Sequence, residues 1–346
     1  MTKVKLIHVG LGGWGTQWAQ EILPSVESVE VAAFVDANPA ALARMEATGT
    51  AAKLLFPSLA AALEAVPADG VLAVVRTPIH QAVVSEALRA GRHVLVEKPF
   101  AMTVEEAQEL VALADQRQRM LFVSQNYRFF PTPLAAAAIV HERAYGAPLA
   151  VEIDFRRYIP EGHVYPNEAN PLLVDMAIHH FDLMRFILGE EPVEVSCRTW
   201  NPVPAIYKGA PSAAFTALFD KGTVVTWRGS YLSRGPATPW SGEWRIDLEK
   251  ASLAFAFRGE PSDRLAPEML TLTPVGEAMI DLTPPPFQHV DRAGTLAAFA
   301  EAIQLGAEVP PLPAGRDNIK SLAFCLAAVR SADLNGVPVR VSDMAA

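Results

Sequence analysis

Two kinds of hydrophobic pattern alternate along the first 125 residues. Short, continuously apolar runs predict strands at about 4–9, 29–35, 53–56, 71–75, 94–96 and 120–123. Helical spacing of apolar positions predicts helices between them, at about 14–23, 39–48, 58–66 and 103–119, with a further alanine-rich helix ending at Gly91. Strands that are apolar throughout are typical of a parallel sheet covered on both faces. The pattern therefore predicts a doubly wound α/β domain over residues 1–125.

The pattern changes after Tyr127 and Arg128. Helices are predicted at about 133–143, 171–188 and 316–334, and a half-exposed strand at 149–158. Between residues 193 and 282 the runs are short, β-rich and interrupted by Pro and Gly, as in an antiparallel sheet. Residues 126–346 are therefore predicted to form a second, α+β domain, with the helix at 316–334 as its tail.

Composition narrows the class of protein. The chain has 346 residues, of which 51% are apolar and 19% charged, with a formal net charge of −9. These values argue against disorder, and the acidic balance provides no basic surface for nucleic acid or an anionic membrane. Only two cysteines occur, Cys197 and Cys325, which excludes a disulfide framework or a cysteine-based zinc site. With no secretion signal or membrane-spanning run, we expect a cytoplasmic protein.

A glycine-rich segment follows the first predicted strand. It reads Gly10-Leu11-Gly12-Gly13-Trp14-Gly15, which fits G-x-G-x-x-G, and Asp36 ends the next strand 36 − 15 = 21 residues later. Strand, glycines, helix and acidic residue together predict a dinucleotide site, with the phosphates on backbone amides and the ribose on Asp36. A carboxylate at this position favours NAD over NADP because it would repel a 2′-phosphate. Arg44 could contact such a phosphate, so NADP stays an alternative. The alternative is a turn that binds nothing, with Asp36 as a strand-end cap.

Two more predicted strands end in polar residues. The run 71–75 leads into Thr77-Pro78 and His80, and the run 94–96 leads into Glu97-Lys98-Pro99. Ligands of doubly wound sheets bind beyond the carboxyl ends of the strands, which favours a position for Lys98 near the nicotinamide. The alternative is a surface lysine before a turn.

The predicted helix at 171–188 carries ionisable residues among apolar ones. Asp175, His179 and Asp182 share one face, and a carboxylate one turn before a histidine suits proton transfer. The alternatives are a satisfied buried pair, or a metal site formed with Asp182. The metal site is disfavoured because no further ligand cluster supports it. We expect His180 to be structural, and Asp182 to pair with a neighbour such as Arg185.

These residues together resemble the glucose–fructose oxidoreductase / inositol dehydrogenase / rhizopine-catabolism (Gfo/Idh/MocA) family. The likeness extends over essentially the whole chain and is carried by the glycine-rich segment, Asp36, residues 77–80, residues 90–100, residues 126–128 and Asp175 to Asp182. It implies a Rossmann domain followed by an α/β domain whose large open antiparallel sheet mediates homodimers or homotetramers. It also implies a cis Lys98–Pro99 peptide.

The same resemblance implies roles for individual residues. Lys98, Asp175 and His179 would be catalytic: His179 takes the hydroxyl proton, Asp175 orients the hydroxyl and Lys98 stabilises the alkoxide. Cofactor contacts would come from the glycine-rich segment with Asp36, Thr77, Pro78, His80, Glu97, Lys98 and Asn126. Substrate contacts would come from Lys98, Asp175 and His179 with Tyr127, Arg128 and Arg157.

Some features depart from the family pattern. Asn170-Pro171 replaces a glycine-rich helix entry, Ala177 replaces a glycine, and the stretch from Thr77 to His80 is two residues short. The segment 156–165 is expected to line the substrate pocket. Its adjacent Arg156 and Arg157 would either recognise an anionic substituent or be solvated strand charges.

The function expected from this reading is NAD(H)-dependent hydride transfer to or from a hydroxyl carbon of a sugar, sugar acid or cyclic polyol. The alternatives are a non-catalytic sugar-sensing regulator on the same scaffold, and a redox-neutral, NAD-dependent enzyme that cleaves glycosides.

Overall fold

The computed structural model describes residues 2–161, 167–202, 207–258 and 268–344. The chain divides into two compact units. Unit 1 comprises Met1–Phe129 and Gln288–Ile319, and unit 2 comprises Phe130–Phe287 and Lys320–Ala346. The predicted second domain, 126–346, therefore contains a segment that returns to unit 1. Among the described residues, no helix combines the length and apolar character needed to cross a membrane.

Unit 1 contains a parallel sheet of six strands in the order β3-β2-β1-β4-β5-β6. The strands are β1 (Val4–Val9), β2 (Val29–Val35), β3 (Leu55–Phe56), β4 (Gly70–Ala73), β5 (His93–Val96) and β6 (Leu121–Val123). The strand order reverses between β1 and β4, which leaves a crevice beyond their carboxyl ends. This arrangement confirms the predicted Rossmann sheet.

The crossover segments of unit 1 are helical, and side-chain caps start several of them. The helices are α1 (Gly13–Gln17), α2 (Pro39–Ala47), α3 (Leu59–Ala65), α4 (His80–Arg89) and α5 (Val104–Arg117). The side chain of Ser58 accepts a hydrogen bond from the amide of Ala61, and that of Thr103 accepts one from the amide of Glu106. These bonds satisfy amides that have no partner inside the helix. A π-helical turn at Trp18–Ile22 continues α1.

Unit 2 contains a mixed, mostly antiparallel sheet of nine strands in the order β14-β13-β12-β11-β7-β10-β9-β8-β15. They are β7 (Pro148–Arg156), β8 (Pro192–Trp200), β9 (Ser212–Phe219), β10 (Val224–Ser230), β11 (Glu243–Leu248), β12 (Ala251–Ala256), β13 (Met269–Pro274), β14 (Ile280–Asp281) and β15 (Val339–Arg340). Strands β7 and β10 pair in parallel. The prediction of a large, mostly antiparallel second sheet is confirmed.

Buried and exposed residues alternate along the central strands of this sheet, so its two faces differ. One face is aromatic: Phe215 stacks on Trp227 with ring centroids 5.1 Å apart. The other face carries ion pairs, which join Arg228 to Asp154 at 2.9 Å and Arg245 to Glu152 at 2.9 Å.

The remaining helices are α6 (Pro131–Glu142), α7 (Ile178–Leu188), α8 (Asp291–Leu305) and α9 (Gly315–Asp333). Helix α7 packs on the aromatic face of the second sheet, where Phe181 stacks on Phe215 with centroids 5.1 Å apart. Helix α7 is entered through a π-helical turn at Leu173–Ala177, where the sequence pattern predicts a continuous α-helix. The structure therefore differs from the prediction at the residues around Asp175.

Helix α8 belongs to the segment that returns to unit 1, and the sequence pattern does not predict it. Its N-cap, Val290, has no side-chain capping bond, and Ala-rich turns leave no clear apolar stripe. Leu296 and Phe299 are fully buried in the core of unit 1, and Phe299 packs edge-on against Phe122. A helix that is apolar on most sides lacks the periodicity by which surface helices are recognised.

Candidate active site

The glycine-rich loop packs closely against its own sheet on one side. Gly10 has φ +103°, and a Cβ on it would lie 2.2 Å from the carbonyl oxygen of Val74. A Cβ on Gly15 would lie 2.0 Å from the carbonyl oxygen of Gly10. Side chains are therefore excluded from both positions. A Cβ on Gly12 or Gly13 would meet nothing within 4 Å, so the other side of the loop is open to a ligand.

Asp36 holds this loop from the end of β2. One carboxylate oxygen accepts a hydrogen bond from the amide of Leu11 at 2.7 Å, and the other accepts from the amide of Asn38 at 2.8 Å. Each carboxylate oxygen has a second acceptor site, which leaves capacity for the hydroxyls of a ribose. The loop, its open side and this carboxylate fit a dinucleotide cofactor.

His8 lies beneath the loop and was not singled out by sequence reasoning. The ring is fully buried, and its Nε2 donates to the carbonyl oxygen of Gly15 at 3.0 Å. Burial lowers the pKa of His8 to about 4, so the ring is neutral at pH 7. An isolated histidine inside an apolar strand gives no sequence signal for this contact.

Glu97 and Lys98 follow β5 at the same carboxyl edge of the sheet as the glycine-rich loop. Glu97 is buried, and one of its oxygens accepts hydrogen bonds from the indole nitrogens of Trp14 at 3.0 Å and Trp18 at 2.8 Å. Lys98 is partly buried, and the Lys98–Pro99 peptide is cis, which confirms that expectation.

The stretch from Thr77 to His80 follows β4 and contacts the segment around Lys98 through a hydrogen bond. Thr77 and Pro78 lie in a 3₁₀ turn, Thr77–Ile79, and Thr77 is buried. The two ring nitrogens of His80 lie 2.9 Å from the carbonyl oxygens of Pro99 and of Val75. Burial lowers the pKa of His80. His80 therefore ties the two strand ends together, while cofactor contact by these residues remains a prediction.

The residues of the Asn126–Arg128 motif anchor the returning segment of unit 1. The amide of Asn126 donates to the carboxylate of Asp291, and Arg128 forms an ion pair with Asp317 at 3.0 Å. Tyr127 is almost fully buried. These contacts give Asn126 and Arg128 a structural function, whereas their predicted contacts with cofactor or substrate stay predictions.

Arg292, at the start of α8, also reaches the dinucleotide loop and was missed by sequence reasoning. Its guanidinium carbon lies 4.1 Å from the centroid of the Trp14 indole, a cation–π distance. No local signal connects these residues, since the contact depends on the return of a segment far along the chain.

In unit 2, Asp175 and His179 lie on the buried helical segment that includes α7. Asp175 is 5% exposed and accepts a hydrogen bond from the hydroxyl of Tyr231 at 3.1 Å, and His179 is 6% exposed. The π-helical turn contains Asp175 and ends just before α7, which begins one residue before His179. Such turns alter the spacing of side chains along a helix and are frequent at functional sites.

Aromatic rings surround Asp175 and its partner. Tyr207 stacks on Tyr231 with centroids 5.9 Å apart and an interplanar angle of 14°. Arg157 is buried, with its guanidinium carbon 4.5 Å from the centroid of Trp240. Arg156 instead pairs with Asp154 and Glu243, as a strand charge does. Of the predicted pocket segment, residues 162–166 lie outside the described residues.

The other ionisable residues of α7 are part of the packing. His180 is fully buried and accepts a hydrogen bond from the indole of Trp227 at 2.9 Å, and burial lowers its pKa to about 3. Asp182 accepts from the hydroxyl of Ser321, which itself accepts from Arg185. Within the described residues, no cluster of three or more His, Cys, Asp or Glu side chains is arranged to hold a metal ion.

A Rossmann sheet with a glycine-rich loop, an acidic residue after β2 and a lysine after β5 defines a dinucleotide-binding oxidoreductase. Two family models match the chain: the oxidoreductase family, NAD-binding Rossmann fold, over residues 4–125, and the GFO/IDH/MocA C-terminal domain over residues 134–254. The chain belongs to the Gfo/Idh/MocA family and is an NAD-binding oxidoreductase.

Named relatives include dehydrogenases of inositol and of UDP-N-acetylglucosamine. The chain is 27% identical to inositol 2-dehydrogenase from Rhizobium meliloti, over 93% of this chain and 95% of the relative. It is 30% identical to UDP-N-acetylglucosamine 3-dehydrogenase from Acidithiobacillus ferrooxidans, over 59% and 63% of the two chains. A solved oxidoreductase from Agrobacterium radiobacter, in complex with NAD⁺, L-tartaric acid and magnesium, superposes with a TM-score of 0.84 at 22% identity, covering 99% of this chain and 100% of that chain.

Proposed function

We propose that the protein is an NAD(H)-dependent dehydrogenase that acts on a hydroxyl carbon of a sugar, sugar acid or cyclic polyol. The observation that carries the proposal lies in unit 1: Lys98 follows β5 at the sheet edge where the glycine-rich loop is open to a ligand. In unit 2, the buried Asp175 and His179 supply groups for proton transfer. Relatives that oxidise sugars and inositol support the substrate class.

We propose the catalytic roles that the resemblance to the family implies, and the chemistry of each side chain is compatible with its role. In the oxidative direction, an imidazole nitrogen of His179 accepts the proton of the substrate hydroxyl. Asp175, held by the hydroxyl of Tyr231, orients that hydroxyl. The ammonium of Lys98 stabilises the negative charge that develops on the oxygen. The nicotinamide cofactor, when bound, supplies the redox chemistry by exchanging a hydride with the carbon.

We propose NAD rather than NADP as the preferred cofactor. Asp36 presents a carboxylate at the end of β2, already ordered by the amides of Leu11 and Asn38. Hydroxyls of a ribose can donate to this group, whereas a 2′-phosphate would be repelled by it.

We also propose a homodimer or homotetramer formed through the second sheet. The ion-paired face of that sheet carries both signs of charge, including Arg245 and Glu152. A face that carries positive and negative side chains next to one another can pair with the same face of a second copy.

The function is tested with a panel of sugars, inositols and sugar acids, by following NADH formation at about pH 9. We expect at least one compound to be oxidised, and Lys98→Met to lower the rate about 10³-fold while NADH still binds. Two results would contradict the proposal: NADH formation that does not depend on the added compound, or a wild-type rate in Lys98→Met. NAD that stays bound and is regenerated while a glycoside is cleaved would indicate the redox-neutral, NAD-dependent enzyme that cleaves glycosides instead.

A further inference from the structure

The carboxylate of Glu97 is surrounded by hydrogen-bond donors. One oxygen accepts from Trp14 Nε1 at 3.0 Å and from Trp18 Nε1 at 2.8 Å, and the other lies 3.2 Å from the backbone nitrogen of Lys98. Glu97 is only 6% exposed. An ionised carboxylate is an acceptor without donors of its own, so it matches all three N–H groups. A buried group with this many partners fixes the positions of the segments that supply them.

The donors come from two segments with different functions. Trp14 lies in the glycine-rich loop and is 44% exposed. Trp18 is fully buried and anchors the same carboxylate from the helical segment that follows. The backbone of Lys98 completes the set, and the proposed function assigns to its side chain the stabilisation of the negative charge that develops on the substrate oxygen. Glu97 therefore joins the loop that receives the cofactor to the backbone of the catalytic lysine.

A second side chain, that of Arg292, contacts the ring of Trp14. The Arg292 guanidinium lies 4.1 Å from the centroid of the Trp14 ring and 5.8 Å from that of Trp18. The indole of Trp14 is thus held at its nitrogen by Glu97 and on its ring by Arg292. These two contacts restrict rotation of the Trp14 side chain.

We propose that Glu97 is a positioning residue: through Trp14 it couples occupancy of the glycine-rich loop to the placement of Lys98. The proposal rests on the catalytic role proposed for Lys98, but its structural part, the coupling itself, can be measured without any substrate. Displacing a catalytic group by about 1 Å costs up to about 10²-fold in rate, so a small shift of the Lys98 backbone is sufficient for an effect.

The first experiment measures hydrogen exchange at the Lys98 amide, with and without saturating NADH. In the wild-type protein, NADH is expected to slow this exchange about fivefold, the effect of strengthening one hydrogen bond. In Trp14→Phe, NADH should still bind, as followed by its fluorescence, but the slowing should be lost. Equal slowing in the two proteins would overturn the coupling whatever reaction the enzyme catalyses.

The second experiment uses the best substrate from the panel described above. Trp14→Phe is expected to lower kcat about tenfold with a smaller change in the KM for NAD, and to raise the deuterium isotope effect on kcat, because the hydride step becomes slower. A rise in KM alone, with kcat and isotope effect unchanged, would show that Trp14 only binds cofactor.

Matched variants separate coupling from folding. Trp200→Phe, at a tryptophan that is 41% exposed in β8, should leave both readouts unchanged. Glu97→Asp retains the carboxylate and should keep part of the NADH-dependent slowing, whereas Glu97→Gln, with an amide group facing N–H donors, should lose it. Full NADH-dependent slowing in Glu97→Gln, with an unchanged melting temperature, would show that the carboxylate is not the coupling group.

Discussion

The two sheets of this protein present functional groups in different ways. In unit 1 the parallel sheet is buried, and its functional groups lie beyond the strand ends, where the backbone of the Gly10–Gly15 loop is open to a ligand. In unit 2 the antiparallel sheet has one aromatic and one charged face, and Asp175 and His179 come from a helical segment, part of which packs on the aromatic face. A parallel sheet thus offers backbone groups at an edge, and an antiparallel sheet supports side chains on a face.

The largest expected effect tests whether the returning segment is part of the first sheet's core. Phe299→Ala should lower the free energy of unfolding by about 3–5 kcal/mol, because a fully buried ring that packs on Phe122 is removed. Urea unfolding measures this directly. A loss below about 1 kcal/mol would mean that α8 contributes little to unit 1.

Next in size is the effect of removing the carboxylate that orders the loop. Asp36→Ala should weaken NAD binding about 100-fold, or about 2.8 kcal/mol, because the loop loses its bond to Asp36 and the ribose loses its acceptor. NADP binding should weaken much less, as measured by NADH and NADPH fluorescence titrations. Equal weakening of the two cofactors would remove Asp36 from cofactor selection.

Each unit contains a fully buried histidine with a strongly lowered pKa, His8 in unit 1 and His180 in unit 2, which makes stability depend on pH. The folded-state pKa is about 4 for His8 and about 3 for His180, both below the unfolded value of 6.5. The unfolded chain therefore binds protons first as the pH falls from 7 to 5, and each histidine should lower the free energy of unfolding by about 2 kcal/mol over that interval.

This pH dependence is assigned by comparing wild-type protein with His8→Gln in urea unfolding at pH 7 and pH 5. The difference in unfolding free energy between pH 7 and pH 5 should be about 2 kcal/mol smaller in the variant than in the wild-type protein. If the pH dependence is the same in both proteins, His8 is not the neutral group beneath the loop.

The smallest expected effects concern exposed charges. Arg316→Met removes a surface pair with Asp115 in unit 1, and Arg245→Met removes a pair with Glu152 on the second sheet. Each should change the stability of a protomer by less than about 1 kcal/mol. Only the Arg245 variant should alter the sedimentation coefficient, because only that residue lies on the face proposed to pair with another copy. Identical sedimentation of both variants and wild type would contradict that interface.

The elements best predicted from the sequence are those whose structure depends on residues close together in the chain. The run Val4–Val9, the glycines after it and Asp36 after Val35 follow from periodicity and spacing, because strand, turn and helix are consecutive there. Prediction failed where contacts join distant segments. The donors to Glu97, the contact of Arg292 with Trp14 and the core position of Phe299 all depend on tertiary packing.

The π-helical turn around Asp175 is a different kind of failure. Its residues, Leu173–Ala177, have the composition of an ordinary buried helix, and no proline or glycine within them signals the change. In a π-helical turn the backbone hydrogen bonds join residues five positions apart. The packing around the helix determines whether this pattern forms, and a single sequence does not reveal that packing.

The return of residues 288–319 has a consequence for biosynthesis. Apolar side chains that complete the first core, among them Leu296, Phe299 and Leu312, leave the ribosome only after most of the chain has been made. During translation, the apolar surface of the nascent amino-terminal portion stays exposed until residues 288–319 have been made. Such exposed surface is prone to aggregation, which chaperones counteract. Expression of residues 1–129 alone is therefore expected to yield insoluble material, even though that stretch contains every strand of its sheet.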